Sequence, residues 1–221
     1  MARVDQKNLP DFWINGHFRL FISHISKNKA GAAKLQSSLR RFHISGFVAH
    51  SDIQPTREWE NEILQALRTS DALIALLHTG FHESKWTDQE IGIAIGRDLL
   101  AVSISFGETP YGFLGRYQAL QGTGKSYDQL AEEVFRILRI HHRTRRRISE
   151  ALVDKMGKST SFNEALDTMK LIEGVEYWDY MLSNELRSHK TSNSQVHGAY
   201  TVPQRIDQHI RRWSKDYEIP F

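Results

Sequence analysis

The chain has 221 residues, of which 40% are hydrophobic and 25% are charged, with a formal net charge of +3 and no cysteine. The missing thiols exclude disulfides, thiolate metal sites and cysteine nucleophiles, and no apolar run approaches the roughly 20 residues that span a bilayer. The first residues have no apolar core of the signal-peptide kind, so we expect a cytoplasmic globular protein without membrane association.

The first part of the chain alternates short apolar runs with amphipathic segments. Phe18 to Ser23 predicts a buried strand, and a helical stripe that contains Leu35 and Leu39 follows it. Gly46 is expected to interrupt the chain before a second short strand at residues 47–49.

The same alternation continues to about residue 140. Residues 72–77 and 99–105 predict two fully apolar strands, with helical patterns before, between and after them. Strands that are apolar on both faces and alternate with helices indicate a parallel sheet covered on both sides. We therefore predict a flavodoxin-like, doubly wound α/β domain over residues 15–140, after an N-terminal segment of residues 1–14.

From residue 141 to residue 221 the alternation stops, and we predict a helical C-terminal extension. A polar stretch at residues 190–202 is expected to form a loop or a short hairpin within it. The extension could dock on the α/β domain, mediate oligomers or bind a trigger, and its sequence does not choose between these roles. The expected helices cover residues 148–156, 162–172, 175–186 and 203–213.

A basic stretch and a glycine-rich stretch are both interpreted as structural and not as phosphate-binding sites. The run HHRTRRR at residues 141–147 could contact phosphates, but a solvated helix face is favoured, so nucleic acid is not an expected partner. QGTGKS at residues 121–126 resembles the end of a phosphate-binding loop, yet Ala119 stands where that motif needs a glycine. No strand is predicted directly before it, so we interpret it as a helix cap. The histidines lack metal-helix spacing, and no metal site is predicted.

Trp86 and Glu90 are four residues apart at the start of a predicted helix, so both side chains should leave the same face. In parallel sheets ligands bind at the carboxyl ends of the strands, and Glu90 lies just beyond the polar loop after the third strand. On these residues alone, a half-buried tryptophan beside a solvated acid remains an adequate account, because a helix N-terminus favours a negative charge.

Several motifs that follow one another along the chain favour a functional role for Trp86 and Glu90 over that account. FISH at residues 21–24 ends the first predicted strand, the proline-containing loop SDIQPTREW covers Ser51 to Trp59, and Ser70-Asp71 leads into the third strand. With the W-x-x-x-E of residues 86–90, these stretches closely resemble a bacterial TIR (Toll/interleukin-1 receptor) domain over residues 15–140. The loop from Ser51 to Trp59 resembles the family's BB loop, and we use that name for it.

The resemblance implies an enzyme that cleaves the nicotinamide–ribose bond of NAD+, with Glu90 as the catalytic residue. It implies ADP-ribose or a cyclic ADP-ribose-type signal as product, a role in bacterial anti-phage defence, and no cofactor, since NAD+ is the substrate. Self-association through surfaces that include the BB loop is expected, as is a downstream effector that responds to the product. The residues expected beside the substrate are Ser23, His24, Ser26, Lys27, Asp52, Trp59 and Trp86.

Two other readings stay open at this point. Animal receptor and adaptor TIR domains use the same fold as non-catalytic interaction modules, and many of them lack the glutamate. A different N-glycoside enzyme on a similar fold, such as a nucleoside deoxyribosyltransferase, would also place a glutamate near a ribose. The retention of Trp86 and Glu90 favours NAD+ cleavage over the first reading, and the BB-loop pattern favours it over the second.

Overall fold

The computed structural model of the chain describes residues 9–49 and 59–216, without the side chains of residues 215 and 216. It forms two compact units, Met1–Arg136 and Ile137–Phe221, and each is described by itself. The division falls inside a helix, and the assignment of separate domains at residues 15–140 and 141–221 stays a prediction. No helix among the described residues combines the length and the apolar character that crossing a membrane requires.

The first unit contains a parallel five-stranded sheet with the strand order β2-β1-β3-β4-β5 among the described residues. This arrangement of a parallel sheet with flanking helices confirms the predicted flavodoxin-like α/β fold. Its strands are β1 (Phe18–Ser23), β2 (Ile44–Phe47), β3 (Ala72–Leu77), β4 (Leu100–Ser105) and β5 (Leu120–Gln121). The helices are α1 (Lys29–Leu39), α2 (Trp59–Thr69), α3 (Thr87–Gly96) and α4 (Tyr127–Ile140).

The two faces of the sheet carry different helices. Phe21 belongs to a core cluster with Ile63 of α2 and Ile91 of α3, so odd-numbered side chains of β1 face those two helices. Ile22 points the other way, because a Cβ atom on Gly46 would lie 2.9 Å from its Cδ1 atom and 3.1 Å from Cγ of Gln36 in α1. This alternation decides which side chains of β1 can reach α3.

The second strand was predicted in the wrong place. β2 covers Ile44–Phe47 instead of residues 47–49, and Phe18 of β1 pairs with Ile44. The turn before the strand is made by His43, whose φ of 58° lies in the left-handed region. Gly46 lies inside the strand, where the close approach of α1 leaves no room for a side chain.

The fifth strand, which leads into QGTGKS, was not predicted from the sequence. β5 ends at Gln121, the first residue of this stretch, so a strand leads into it where none was predicted. The helix-cap interpretation is nevertheless confirmed, since the Gln129 backbone N–H donates to Ser126 Oγ at 3.2 Å and the Ser126 N–H donates to Gln129 Oε1 at 2.8 Å. Lys125 pairs with Glu133 at 2.6 Å, so its charge is neutralised within the protein.

The second unit is helical, as predicted. Its helices, besides the end of α4, are α5 (Arg145–Gly157), α6 (Phe162–Glu173), α7 (Tyr180–Ser192), α8 (Ser194–Gly198) and α9 (Val202–Asp216). The predicted helix at residues 175–186 is wrong at its start, because α7 begins only after Asp179, whose carboxylate accepts the Leu182 N–H at 2.9 Å. The expected loop or hairpin at residues 190–202 contains α8.

The basic run at residues 141–147 is partly neutralised by its own helix. Arg146 lies 3.0 Å from Glu150, and Arg147 lies 3.8 Å from the same carboxylate. These i,i+4 and i,i+3 pairs are typical of a solvated helix face.

Candidate active site

The candidate site lies where the order of the strands reverses. β1 stands between β2 and β3, and the chain leaves β1 toward β2 but leaves β3 toward β4. The connections therefore diverge at the carboxyl ends of β1 and β3, which is where doubly wound sheets bind their ligands. Ser23 is the last residue of β1 and pairs with Ala75 of β3.

Sheet geometry brings Ser23 to the catalytic candidate. Ser23 follows Phe21 by two residues, so its side chain points to the face that carries α3. Glu90 lies in the first turn of α3, the helix that begins just after the carboxyl end of β3. The Ser23 hydroxyl donates a hydrogen bond to Glu90 Oε2 at 2.6 Å. Two predicted site residues that are 67 positions apart therefore meet at the point expected for a ligand site.

The carboxyl group of Glu90 is held in an unusual electrostatic state. Only 5% of the residue is exposed. Burial raises the pKa of Glu90 to about 7, and the hydrogen bond from Ser23 opposes that rise. Within the described ranges no lysine, arginine or histidine pairs with this carboxylate. A buried acid without a cation is a frequent property of functional sites.

The first turn of α3 is fixed from two sides. Thr87 is buried, and its hydroxyl donates to the carbonyl oxygens of Phe81 and Ser84 at 2.9 and 3.3 Å. The Tyr111 hydroxyl donates to Asp88 Oδ1 at 2.5 Å, which ties the segment after β4 to the same turn. Sequence reasoning gave neither Thr87 nor Tyr111 a role in the site, and no spacing rule relates Tyr111 to a residue 23 positions earlier.

The two tryptophans expected beside the substrate contact each other. The rings of Trp59 and Trp86 pack edge to face, with centroids 4.5 Å apart and an interplanar angle of 67°. Trp86 is half-buried, whereas 40% of Trp59 is exposed. An aromatic surface thus lies at the starts of α2 and α3, and Trp59 presents most of its accessible part.

The remaining predicted residues differ in their placement. His24 is buried, with Nδ1 3.0 Å from the carbonyl oxygen of Ile22, whereas Ser26 and Lys27 are exposed in the turn between β1 and α1. Asp52 and the BB loop up to residue 58 lie outside the described residues, so their predicted roles stay predictions.

A separate cavity of about 530 Å³ lies on the α1 and α4 side of the first unit. None of the predicted site residues lines it. Among the described residues, no cluster of three histidine, cysteine or acidic side chains is placed to hold a metal ion. The cavity is lined by Lys34, Ser37, Ser38, Arg41, Tyr127 and Asp128.

A family model described as "TIR domain" matches residues 20–136, whereas no curated protein matches the chain. The solved structure of the TIR domain of the Toll-related receptor TRR-2 from Hydra magnipapillata is similar over 54% of this chain and 96% of that one. The sequence identity in that alignment is 19% and the TM-score is 0.45.

Proposed function

The chain belongs to the TIR domain family, and from that premise we propose that it is an enzyme that cleaves the nicotinamide–ribose bond of NAD+. Glu90 is the catalytic residue in this proposal. The observation that carries it is a buried carboxyl group, paired with no cation among the described residues, at the point where the β1 and β3 connections diverge. A domain that serves only to bind other proteins has no physical need for such a group.

The reaction suits a single carboxylate. When the glycosidic bond breaks, its electron pair passes to the nicotinamide nitrogen, which was cationic in NAD+ and leaves neutral. Positive charge then develops on the ribose, and the ionised carboxylate of Glu90 stabilises it. Because the leaving group needs no proton, the site does not require the second carboxyl group that most glycosidases use.

The substrate itself favours the active ionisation state. Glu90 has a pKa of about 7 without a ligand, so both forms are populated near neutral pH. A bound nicotinamide cation close to the carboxyl group would lower that pKa, because an opposite charge favours the ionised form. Substrate binding and ionisation of Glu90 would thereby be linked, because the substrate brings a positive charge that no described residue offers to this carboxylate.

The surrounding side chains suit a dinucleotide. The exposed face of Trp59 offers a flat surface for a base, and stacking there would fix the direction of the glycosidic bond. Lys27, in the turn after β1, offers a positive charge for the pyrophosphate. His24 and Ser26 border the same turn, and Asp52 belongs to the BB loop that completes the proposed site.

The proposal also covers the identity of the reaction product and its biological role. Attack by water on the ribose yields ADP-ribose and a proton, whereas attack by a nucleophile within the same molecule yields a cyclic isomer. We propose a cyclic ADP-ribose-type signal, made by self-associated copies in anti-phage defence and detected by a separate effector. The basis of this part is the family resemblance, including the BB loop from Ser51 to Trp59.

The decisive experiment is chromatographic analysis of the full-length protein after incubation with NAD+ over a range of protein concentrations. Release of nicotinamide is expected, with ADP-ribose or a cyclic isomer beside it. Glu90→Gln should lower kcat/KM by about 100-fold or more, the usual cost of losing one transition-state charge contact. Glu83→Gln is the matched control, because Glu83 is exposed and lies before α3, and it should cleave at the wild-type rate.

Two results would contradict the proposal. One is a folded Glu90→Gln protein that still cleaves NAD+ at the wild-type rate. The other is a wild-type protein that releases no nicotinamide at any concentration, which would favour the non-catalytic interaction module.

A further inference from the structure

Ser23 and Glu90 form an isolated polar pair inside an apolar layer. Ser23 is 1% exposed and Glu90 is 5% exposed, and 2.6 Å separates the hydroxyl oxygen from Oε2. A distance between 2.5 and 2.7 Å is typical of a hydroxyl that donates to an ionised carboxylate. Among the residues that the structure describes, no other side chain bonds the Glu90 carboxyl group.

We propose that Ser23 is a positioning residue that keeps Glu90 ionised and leaves Oε1 as the oxygen that faces the ligand. Sequence analysis placed Ser23 only among the residues beside the substrate. The inference rests on the proposed function for its kinetic test but not for its titration test.

The physical basis is the competition between burial and hydrogen bonding. Burial disfavours the charged form of Glu90, and among the described residues the Ser23 hydroxyl is the group that acts in the opposite direction. An O–H donor bonds an ionised carboxylate about twice as strongly as a neutral acid, so the bond favours loss of the proton. β1 pairs with β2 on one side and β3 on the other, so the backbone that carries Ser23 is fixed. The hydroxyl is therefore held in place without the entropy cost of ordering a mobile side chain.

The same bond selects the reactive oxygen. Oε2 is occupied by the serine, so its lone pairs are partly used before a substrate arrives. Oε1 has no partner among the described residues and keeps its full capacity to accept bonds from ribose hydroxyls or to face a developing positive charge.

Other ionisable groups near this pair do not replace the serine. Within the part of the chain that the structure describes, burial and the Ser23 hydrogen bond are the causes of the shift in the pKa of Glu90. Arg19, Asp71 and Arg97 form a separate network at the opposite, amino-terminal ends of the strands. Among the described residues, the ionisable groups on the elements around α3 are Glu60, Glu62 and Arg68 on α2, His24 after β1, His78, His82, Glu83 and Lys85 before α3, Asp88 on α3, Arg97 and Asp98 directly after it, and Glu108 and Tyr111 after β4.

The kinetic test is the pH dependence of NAD+ cleavage by the full-length protein. Ser23→Ala should raise the pKa of Glu90 by about one unit, the usual effect of losing one hydrogen bond to a charge. At about pH 6 the variant should then be roughly tenfold slower than wild type, and at about pH 9 the two should agree within about twofold. A merely structural role, or a lost substrate contact, would lower the rate by the same factor at every pH.

Three further variants sharpen the kinetic test. Ser23→Thr keeps the hydroxyl and should restore the wild-type profile, whereas Ser23→Cys keeps the volume with a weak donor and should behave like Ser23→Ala. Ser105→Ala is the matched control. Ser105 also ends a strand, β4, but its hydroxyl donates to the Glu108 carbonyl oxygen at 2.6 Å, so its removal should leave the profile unchanged.

The second test needs no substrate. Carboxyl carbon resonances report the titration of Glu90 in wild type, Ser23→Ala and Ser105→Ala. A rise of about one unit in Ser23→Ala alone would support the inference even if the protein cleaved no NAD+, in which case only the proposed function would fail. An unchanged titration, together with a Glu90-dependent cleavage whose pH profile is unaffected by Ser23→Ala, would overturn the inference and leave the proposed function intact.

Discussion

Two acids lie at opposite ends of the same sheet, Glu90 buried and Asp71 half-buried, and their surroundings differ. Asp71 precedes β3 at the amino-terminal end and accepts hydrogen bonds from Arg19 Nη2 at 2.6 Å, Arg19 Nε at 3.1 Å and the Arg19 backbone N–H at 2.9 Å. Glu90 lies at the carboxyl-terminal end, where the side-chain bond it receives from the described residues comes from the neutral hydroxyl of Ser23. The side chains of Arg19 and Asp71 are 7% and 13% exposed, so the two sites are similarly dry.

The difference in hydrogen-bond partners indicates a structural role for the charge of Asp71 and, in the proposed function, a catalytic role for the charge of Glu90. A buried acid that only stabilises the fold is paired, because an unpaired ion in a low dielectric is costly. Glu90 has no such partner among the described residues, and in the proposed function the nicotinamide cation of NAD+ would supply the positive charge. Removing the charge should therefore have opposite effects on stability at the two ends of the sheet.

The largest effect on stability is expected for Asp71→Asn. The substitution leaves the buried Arg19 without its counter-ion, while the positive charge of Arg97 still acts on it. Loss of one partner of a buried pair should lower the free energy of unfolding by about 3 kcal/mol or more. Urea denaturation of the full-length protein, followed by circular dichroism at neutral pH, measures it.

Glu133→Gln is the matched control for this prediction. Glu133 pairs with Lys125 in the same unit, but the side chains are 25% and 32% exposed, so the loss should stay below about 1 kcal/mol. Equal losses in the two variants would mean that the Arg19–Asp71 pair is no more important than a surface ion pair.

Glu90→Gln should instead stabilise the folded protein at high pH. The pKa of Glu90 is raised from 4.5 to about 7, so the folded state binds the proton more tightly than the unfolded state. Wild-type stability from this group is therefore fully present below about pH 4.5 and is lost as the pH rises through about 7. The glutamine variant should match wild type at about pH 4 and exceed it by about 3 kcal/mol at about pH 9.

Thermal unfolding of both proteins across this pH range measures the effect. A difference between wild type and Glu90→Gln that does not change with pH would show that the carboxyl group titrates normally, and the contrast with Asp71 would then disappear.

The sheet was predictable because its strands are apolar on both faces. β1, β3 and β4 have nearly continuous apolar runs, and their positions were predicted to within a residue. β2 was misplaced because Gly46 was read as a turn signal, whereas the real reason for a glycine there is the approach of Gln36 and Ile22. β5 is only two residues long, too short for any periodicity to reveal.

The helical unit shows a related limit. Val175 and Trp178 are buried, so they extend the apolar pattern of α7 beyond its helical start. Burial of these side chains needs no helix, and the start is set by the Asp179 cap.

In the site, the family resemblance implied roles for Glu90 and Ser23 separately. Their hydrogen bond across 67 positions depends on how α3 packs on β1, which no local pattern encodes. The pKa of Glu90 follows from burial, which is likewise a property of the whole fold.

The smallest effect is expected for Tyr111→Phe, which probes how firmly the functional end of the sheet is held. Burial, and then the bond to Asp88, raise the pKa of Tyr111, so the hydroxyl remains a donor at all ordinary pH values. Loss of this bond should lower the free energy of unfolding by about 1 kcal/mol. Because Asp88 and Glu90 share the first turn of α3, cleavage of NAD+ should also fall by a few-fold without a change in its pH profile.

Tyr117→Phe is the matched control for Tyr111→Phe, since Tyr117 lies in the same segment and is 69% exposed. It should leave both stability and rate unchanged. If Tyr111→Phe also left the rate unchanged while it lowered stability, the segment after β4 would support the fold only. The geometry of Glu90 would then be set by Ser23 and by the Thr87 bonds to Phe81 and Ser84, both of which act on the side of α3 that faces β1 and β3.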